Sequence, residues 1–118
     1  MATDLKALEA LPPSTTFRRI DFDTARVDPG FLPNSWFLTV NGRKPWASMT
    51  VELVPLVYVK RPDFWGIEVV AAQRGIGIPL EVPYSVVLEI SNVLGTAGIE
   101  VIGATKSEKI KVGSGQDR

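Results

Sequence analysis

The stretch Val51–Ala72, VELVPLVYVKRPDFWGIEVVAA, decides the fold that we predict for this chain. Two runs rich in β-branched and aromatic residues, Val51–Val59 and Phe64–Ala72, flank a charged break that contains Pro62. Such runs are typical of strands, and proline supplies the backbone angle needed at the second position of a turn. The stretch therefore predicts a β-hairpin at the centre of a sheet.

Both arms of this hairpin carry apolar residues at odd and even positions, so neither face of the sheet can be wholly solvated. We expect a second layer to cover one face, and a loop or a partner to cover the other. Pro55 lies inside the first arm and has no amide hydrogen for a ladder bond. It predicts a bulge or a change of sheet at that point.

Other segments have the composition and alternation of strands. They are Thr15–Phe22, Ser35–Val40, Tyr84–Ser91, Ile99–Gly103 and Thr105–Val112. The first segment contains three charged residues, Arg18, Arg19 and Asp21, which places it near a sheet edge. In the third, Tyr84, Val86, Leu88 and Ile90 alternate and are predicted to face inward.

Glycine, proline and asparagine mark the connections between these strands. Asn41-Gly42 is the strongest hairpin signal in the chain, and Pro29-Gly30 has the order of a type II turn. Gln73–Pro83 contains two glycines and two prolines, and it predicts an irregular loop with apolar contacts.

Together these patterns predict an all-β fold, an antiparallel β-sandwich of seven to nine short strands. The expected architecture resembles immunoglobulin-like and transthyretin-like sandwiches, although no family motif is matched. We expect an N-terminal helix or arm over residues 1–14, a single sandwich domain over 15–112 and a disordered tail over 113–118. The arm is suggested by Leu5, Leu8 and Leu11, which recur every three residues.

The composition is that of one soluble globular domain. The chain has 118 residues, of which 45% are hydrophobic and 22% charged. Thirteen basic and thirteen acidic residues cancel, so no net charge favours nucleic acid or an anionic membrane. The N-terminus lacks the pattern of a signal peptide, and no apolar run approaches the ~20 residues of a membrane span. A cytoplasmic location is the expectation.

The chain contains neither cysteine nor histidine, which restricts its chemistry. Thiolate nucleophiles, zinc-thiolate sites and histidine-based triads are excluded, and we expect no metal and no cofactor. Acid–base chemistry would have to use glutamates within the strands: Glu52, Glu68, Glu81, Glu89 and Glu100. They are interpreted as solvent-facing residues or as salt-bridge partners of nearby cations. In the predicted hairpin, Glu52 lies opposite Val70 and Ala71 rather than beside Glu68.

Aromatic and cationic residues supply the candidate binding site. Trp36 and Trp65 align with apolar neighbours and are interpreted as core residues. Trp46 follows Arg43-Lys44-Pro45 and has no clear strand face, so it could anchor in a pocket of a partner or stack on a sugar. The candidate ligand-binding or partner-binding residues are Trp46, Arg43, Lys44, Tyr58 and Tyr84.

The apolar content exceeds what one small sandwich comfortably hides, which favours a non-enzymatic domain that binds proteins and forms a homo-oligomer. The alternative is a module that binds a small ligand or a carbohydrate through exposed aromatic residues. An enzyme that uses paired glutamates ranks third. Such a pair needs two carboxyls roughly 5–10 Å apart, and nothing in the sequence places them so.

Overall fold

The computed structural model describes residues 16–73 and 75–112, and all regular secondary structure in this part of the chain is β-strand. The strands are β1 (Thr16–Arg19), β2 (Thr24–Pro29), β3 (Trp36–Lys44), β4 (Thr50–Pro55), β5 (Phe64–Gln73), β6 (Val82–Glu89), β7 (Gly98–Ile102) and β8 (Ser107–Lys111). The predicted all-β fold is confirmed. The predicted N-terminal helix or arm and the predicted C-terminal tail lie outside the described residues.

The larger sheet has five strands and is centred on β5. Strand β4 pairs with residues 67–72 of β5 and β1 with residues 70–73, so these two strands must lie along opposite edges. Strand β7 pairs with residues 64–68 and therefore follows β1 end to end on the same edge. β8 completes the sheet beside β7.

The larger sheet is mixed, which corrects the prediction of a purely antiparallel sandwich. β7 runs parallel to β5, whereas the other three pairings in this sheet are antiparallel. The chain leaves β5, forms β6 in the second sheet and returns to β7. A crossover of this kind produces a parallel neighbour, whereas a hairpin produces an antiparallel one.

The second sheet has the order β2-β3-β6 and is antiparallel. Strand β3 runs without interruption through Asn41 and Gly42, so the hairpin predicted at these two residues is wrong. Gly42 lies opposite Tyr84, and a Cβ on Gly42 would lie 2.7–2.8 Å from the Tyr84 hydroxyl and ring. Glycine is needed there because the tyrosine ring occupies the space of a side chain.

The turn between β2 and β3 lies later than predicted. β2 continues through Pro29, and the amide of Gly30 donates to the carbonyl of Ser35 at 2.9 Å. The left-handed residue of this connection is Asn34, with φ of 62°, and not Gly30. Asparagine tolerates this conformation better than most residues, so a type II turn at Pro29-Gly30 is not required.

The predicted pairing of β4 with β5 is confirmed, and Glu52 lies opposite Val70. The predicted first arm is too long, because β4 ends at Pro55 and residues 56–63 form a longer connection. Pro55 pairs with Ile67 as the last residue of its strand, so it causes neither a bulge nor a change of sheet. The connection folds back over the outer face of β5, where Leu56 packs on Gly66.

The core lies between the two sheets. Its largest fully buried side chains are Leu38, Val40, Ile67, Val69, Ile90, Ile99 and Val101. Each contributes roughly 1.5–3 kcal/mol by leaving water. Trp36 and Trp65 pack against this cluster while remaining partly exposed, which agrees with their interpretation as core residues. Tyr84 and Ile90 are buried, as the alternation of their segment predicts.

The contact between Gly42 and Tyr84 is testable by substitution. Gly42→Ala should lower the free energy of unfolding by about 1–3 kcal/mol, because the added methyl group must displace a packed ring. Chemical denaturation measures this difference. Ser85→Ala is the matched control, since Ser85 is the exposed neighbour of Tyr84 on β6 and its truncation should change the free energy by less than about 0.5 kcal/mol. Equal effects of the two substitutions would contradict the packing role of Gly42.

Candidate functional site

The loops of the sandwich gather at two opposite ends of β5. Residues 56–63 lead into this strand, and residues 75–81 lie beyond its last residue. Because Lys44 pairs with Val82, the connection 45–49 shares the end of 75–81. The connection 30–35 precedes the first residue of β3 and therefore lies at the end of residues 56–63.

The end formed by residues 45–49 and 75–81 exposes four large apolar side chains, and we call it the tryptophan end. Its members are Trp46, Ile76, Ile78 and Leu80. Ile76 retains 96% of its accessible surface and Trp46 retains 37%. Apolar side chains that cluster on one exposed surface are typical of an interaction site, whereas isolated ones are common on any protein.

Hydrogen bonds hold the two loops of the tryptophan end together. The amide of Ala47 donates to the carbonyl of Ile78 at 3.0 Å, and the amide of Ile78 donates to Ser48 Oγ at 3.0 Å. Ser48 Oγ in turn donates to Gln73 Oε1 at 2.8 Å, which ties the loops to the end of β5. The apolar side chains are therefore presented from a fixed backbone. The irregular loop predicted over Gln73–Pro83 is shorter, because β5 includes Gln73 and β6 begins at Val82, and its isoleucines are exposed rather than in apolar contacts.

Trp46 lies where the two loops meet. Its ring packs against Gly77 so closely that no Cβ would fit there. One face of the ring therefore covers the neighbouring loop, and the remaining surface is exposed. The role of Trp46 as an anchor for a partner or a sugar stays a prediction.

Arg43 and Lys44 flank the tryptophan end. Arg43 Nε lies 3.4 Å from Glu81 Oε1, and Lys44 Nζ donates to the carbonyl of Met49 at 2.7 Å. These two cations are the last two residues of β3. The structure thus brings together three of the five predicted site residues, with Trp46 at the centre of the group.

A shallow cleft beside this end is charged. Its charged side chains are Arg18, Arg19, Asp21, Asp23, Arg43 and Glu81. Arg19 pairs with Glu68 at 3.6 Å and Arg43 with Glu81 at 3.4 Å. Because cations and carboxylates balance in this cleft, it provides no strong field for an anion.

Asp21 joins the link between β1 and β2 to the hairpin of β7 and β8. Its carboxylate accepts the amide of Thr105 at 2.7 Å and the hydroxyl of Thr105 at 2.5 Å. These hydrogen bonds favour the ionised form and hold the pKa of Asp21 below its usual value. Lys106 Nζ reinforces the junction by donating to the carbonyl of Phe22 at 2.9 Å.

The opposite end also exposes large apolar side chains, and we call it the valine end. Its members are Phe31, Leu32, Val57 and Val59. Val57 and Val59 are almost wholly exposed, with 95% and 109% of the reference surface. These two valines were predicted to be strand residues, and they lie instead in the connection that follows Pro55.

Hydrogen bonds hold the connection that carries the two valines in place. Trp65 Nε1 donates to the carbonyl of Leu56 at 2.8 Å, and the amide of Gly66 donates to the hydroxyl of Tyr58 at 3.1 Å. Arg61 donates from Nε to the carbonyl of Leu94 at 2.8 Å and from Nη2 to Gly95 at 3.1 Å. Leu56 and Tyr58 therefore face the sheet, and Val57 and Val59 face solvent.

The two tyrosines among the predicted site residues have structural roles. Tyr58 packs edge-on against Trp65, with ring centroids 5.3 Å apart, and lies at the valine end, far from Trp46. Tyr84 is buried, and its hydroxyl donates to the carbonyl of Asp21 at 3.0 Å. Burial, with the nearby carboxylates of Asp23 and Asp21, raises the pKa of Tyr84 to about 12. Tyr84 is therefore not an exposed platform for a ligand.

Two of the five glutamates predicted to lie within strands form ion pairs, although Glu81 precedes β6. Glu68 is held by Arg19 and Glu81 by Arg43, and Glu89 accepts a hydrogen bond from Ser91 at 3.2 Å. Within residues 16–73 and 75–112, no group of three or more His, Cys, Asp or Glu residues could hold a metal ion. The same part of the chain has no helix with the length and apolar character to cross a membrane.

Comparison of the chain with protein-family models, with curated proteins and with solved structures gave no match.

The junction at Asp21 predicts a pH-dependent effect on stability. Its folded-state pKa lies below 3.8, so the stabilisation by the ionised carboxylate is present above pH 3.8 and is lost as the pH falls through the folded-state value. Asp21→Asn should lower the Tm at neutral pH, and the difference from the native chain should close in acid. Thermal unfolding followed by circular dichroism between pH 2 and 7 measures this difference.

Asp23→Asn is the matched control, because Asp23 is an exposed carboxylate two residues further on. It should lower the Tm less than Asp21→Asn does at neutral pH. A Tm difference for Asp21→Asn that persists unchanged in acid would show that the ionised carboxylate is not the stabilising form.

Proposed function

We propose that this protein is a non-enzymatic interaction domain that self-associates, and that the tryptophan end is its contact surface. One observation supports the proposal above others. Four large apolar side chains, Trp46, Ile76, Ile78 and Leu80, are exposed at one end on loops that hydrogen bonds hold in place.

Fixed loops favour association because little conformational entropy remains to be lost on binding. The exposed isoleucines then contribute nearly all of the free energy of leaving water, roughly 25 cal/mol for each Å² of apolar surface buried. Apolar residues on mobile loops would lose much of this gain when the loops become ordered.

The surroundings of the tryptophan end match the anatomy of a protein contact. An apolar centre is bordered by charged groups, Arg43, Lys44 and Glu81, that remain solvent-accessible. A polar rim around an apolar centre is typical of interfaces between proteins. The formal net charge of the chain is zero, so two copies approach without long-range repulsion.

Self-association is tested by light scattering in line with size-exclusion chromatography over a hundredfold range of concentration. The native chain should form a species larger than the monomer. Ile78→Lys should weaken association at least tenfold, because a charge would be buried in the contact. The hydrogen bonds at Ile78 use its backbone, so the substitution should leave the fold intact.

Val87→Lys is the matched control for this experiment. Val87 is also β-branched and 60% exposed, against 56% for Ile78, but it lies on the outer face of the three-stranded sheet. Its substitution should leave association unchanged. A native chain that stays monomeric at every concentration would contradict self-association, and equal effects of the two substitutions would contradict the choice of surface.

A further inference from the structure

We infer that the tryptophan end of one copy binds the valine end of another, so that copies of this chain join head to tail. The inference depends on the proposed function and adds the identity of the receiving surface. It follows from two exposed apolar ends on one chain, each formed by two connections: 45–49 with 75–81, and 30–35 with 56–63.

The two ends face away from each other. Strand β5 has ten residues between its flanking connections, which separates them by about 33 Å at the usual rise of an extended chain. Residues 56–63 lie before the strand and residues 75–81 after it, so a single copy cannot bring its own ends together. A contact between the ends must therefore form between copies.

The apolar surface at each end is similar in size. With roughly 150–200 Å² for a large side chain, the members of each end expose on the order of 500 Å². Joining the two ends would bury about 1,000 Å², which reaches the lower limit of a specific contact between proteins. The summed exposed area of each end equals that of a large patch on an ordinary monomer, and the sum of both ends equals that of a small interface.

The conformation of residues 56–59 keeps the side chains of Val57 and Val59 exposed. Leu56 and Tyr58 are turned towards the sheet by contacts with Gly66 and Trp65, and this alternation leaves Val57 and Val59 on the outside. Arg61 anchors the far part of the same connection to the carbonyls of Leu94 and Gly95. Contacts on both sides of the valines therefore hold the backbone that carries them.

Head-to-tail contact covers both ends with one type of interface. A symmetric dimer formed through the tryptophan end would leave Val57, Val59 and Phe31 exposed on both copies. In a head-to-tail assembly, every internal copy has both ends covered, and the assembly closes into a ring or continues as a chain.

Two variants that each block one end test the inference. Ile78→Lys blocks the tryptophan end, and the double variant Val57→Lys/Val59→Lys blocks the valine end. The three substituted side chains are exposed, so each variant should keep the native circular dichroism spectrum and Tm. Each variant alone should be monomeric at concentrations at which the native chain associates.

Mixing the two variants in equal amounts should restore one contact and only one. The intact valine end of the first would bind the intact tryptophan end of the second, and the product should have the mass of two chains with one of each variant. Native mass spectrometry, with one variant labelled with ¹⁵N, identifies that pair. Phe31→Lys is an independent block of the valine end and should give the same result in the mixture.

Other outcomes separate this inference from the proposed function. If the Val57→Lys/Val59→Lys variant dimerises alone while Ile78→Lys is monomeric, the tryptophan end binds itself. The head-to-tail arrangement is then wrong, and the proposed function stands. If the native chain is monomeric throughout, both are wrong. A dimer formed by the Ile78→Lys variant alone would show that the valine end binds a second valine end, which also overturns the inference.

Discussion

The structure depends on the burial of β5 and on its pairing along both edges. Ile67, Val69 and Ala71 are wholly buried between the sheets, and hydrogen bonds join the strand to β4 on one edge and to β1 and β7 on the other. A strand used in this way cannot shift by one residue, because a shift would turn its buried face towards solvent. The positions of the loops at its two ends are therefore also fixed.

Local patterns predicted those parts of the fold that depend on neighbours in sequence. The alternation of Tyr84–Ser91 identifies its buried side, and the apolar runs on either side of Pro62 identify the pairing of β4 with β5. The parallel pairing of β5 with β7 joins residues about thirty positions apart and leaves no local trace. Gly42 is misleading for a similar reason, because the ring that requires a glycine there belongs to Tyr84, far along the chain.

The candidate site was predictable to a lesser extent. Trp46 stood out because it had no strand face, and the adjacent cations came with it in sequence. The exposure of Val57 and Val59 was not predicted, because β-branched residues favour strands and both valines were assigned to one. Their exposure follows from Pro55, which ends β4 and leaves the next residues to alternate outside the sheet. Two predictions were made for Tyr84: the alternation of its segment placed it inside, and its aromatic ring suggested a binding site. The first agrees with its burial.

An apolar side chain on a fixed loop has two opposite consequences. It lowers the entropy cost of binding a partner, and it exposes the protein to unspecific association, because no rearrangement hides it in the monomer. Proteins often limit such association by repulsion between like charges, but this chain carries no net charge. Two of the edge strands carry residues that discourage pairing with another chain: Lys109 and Lys111 lie on β8, and Pro29 ends β2.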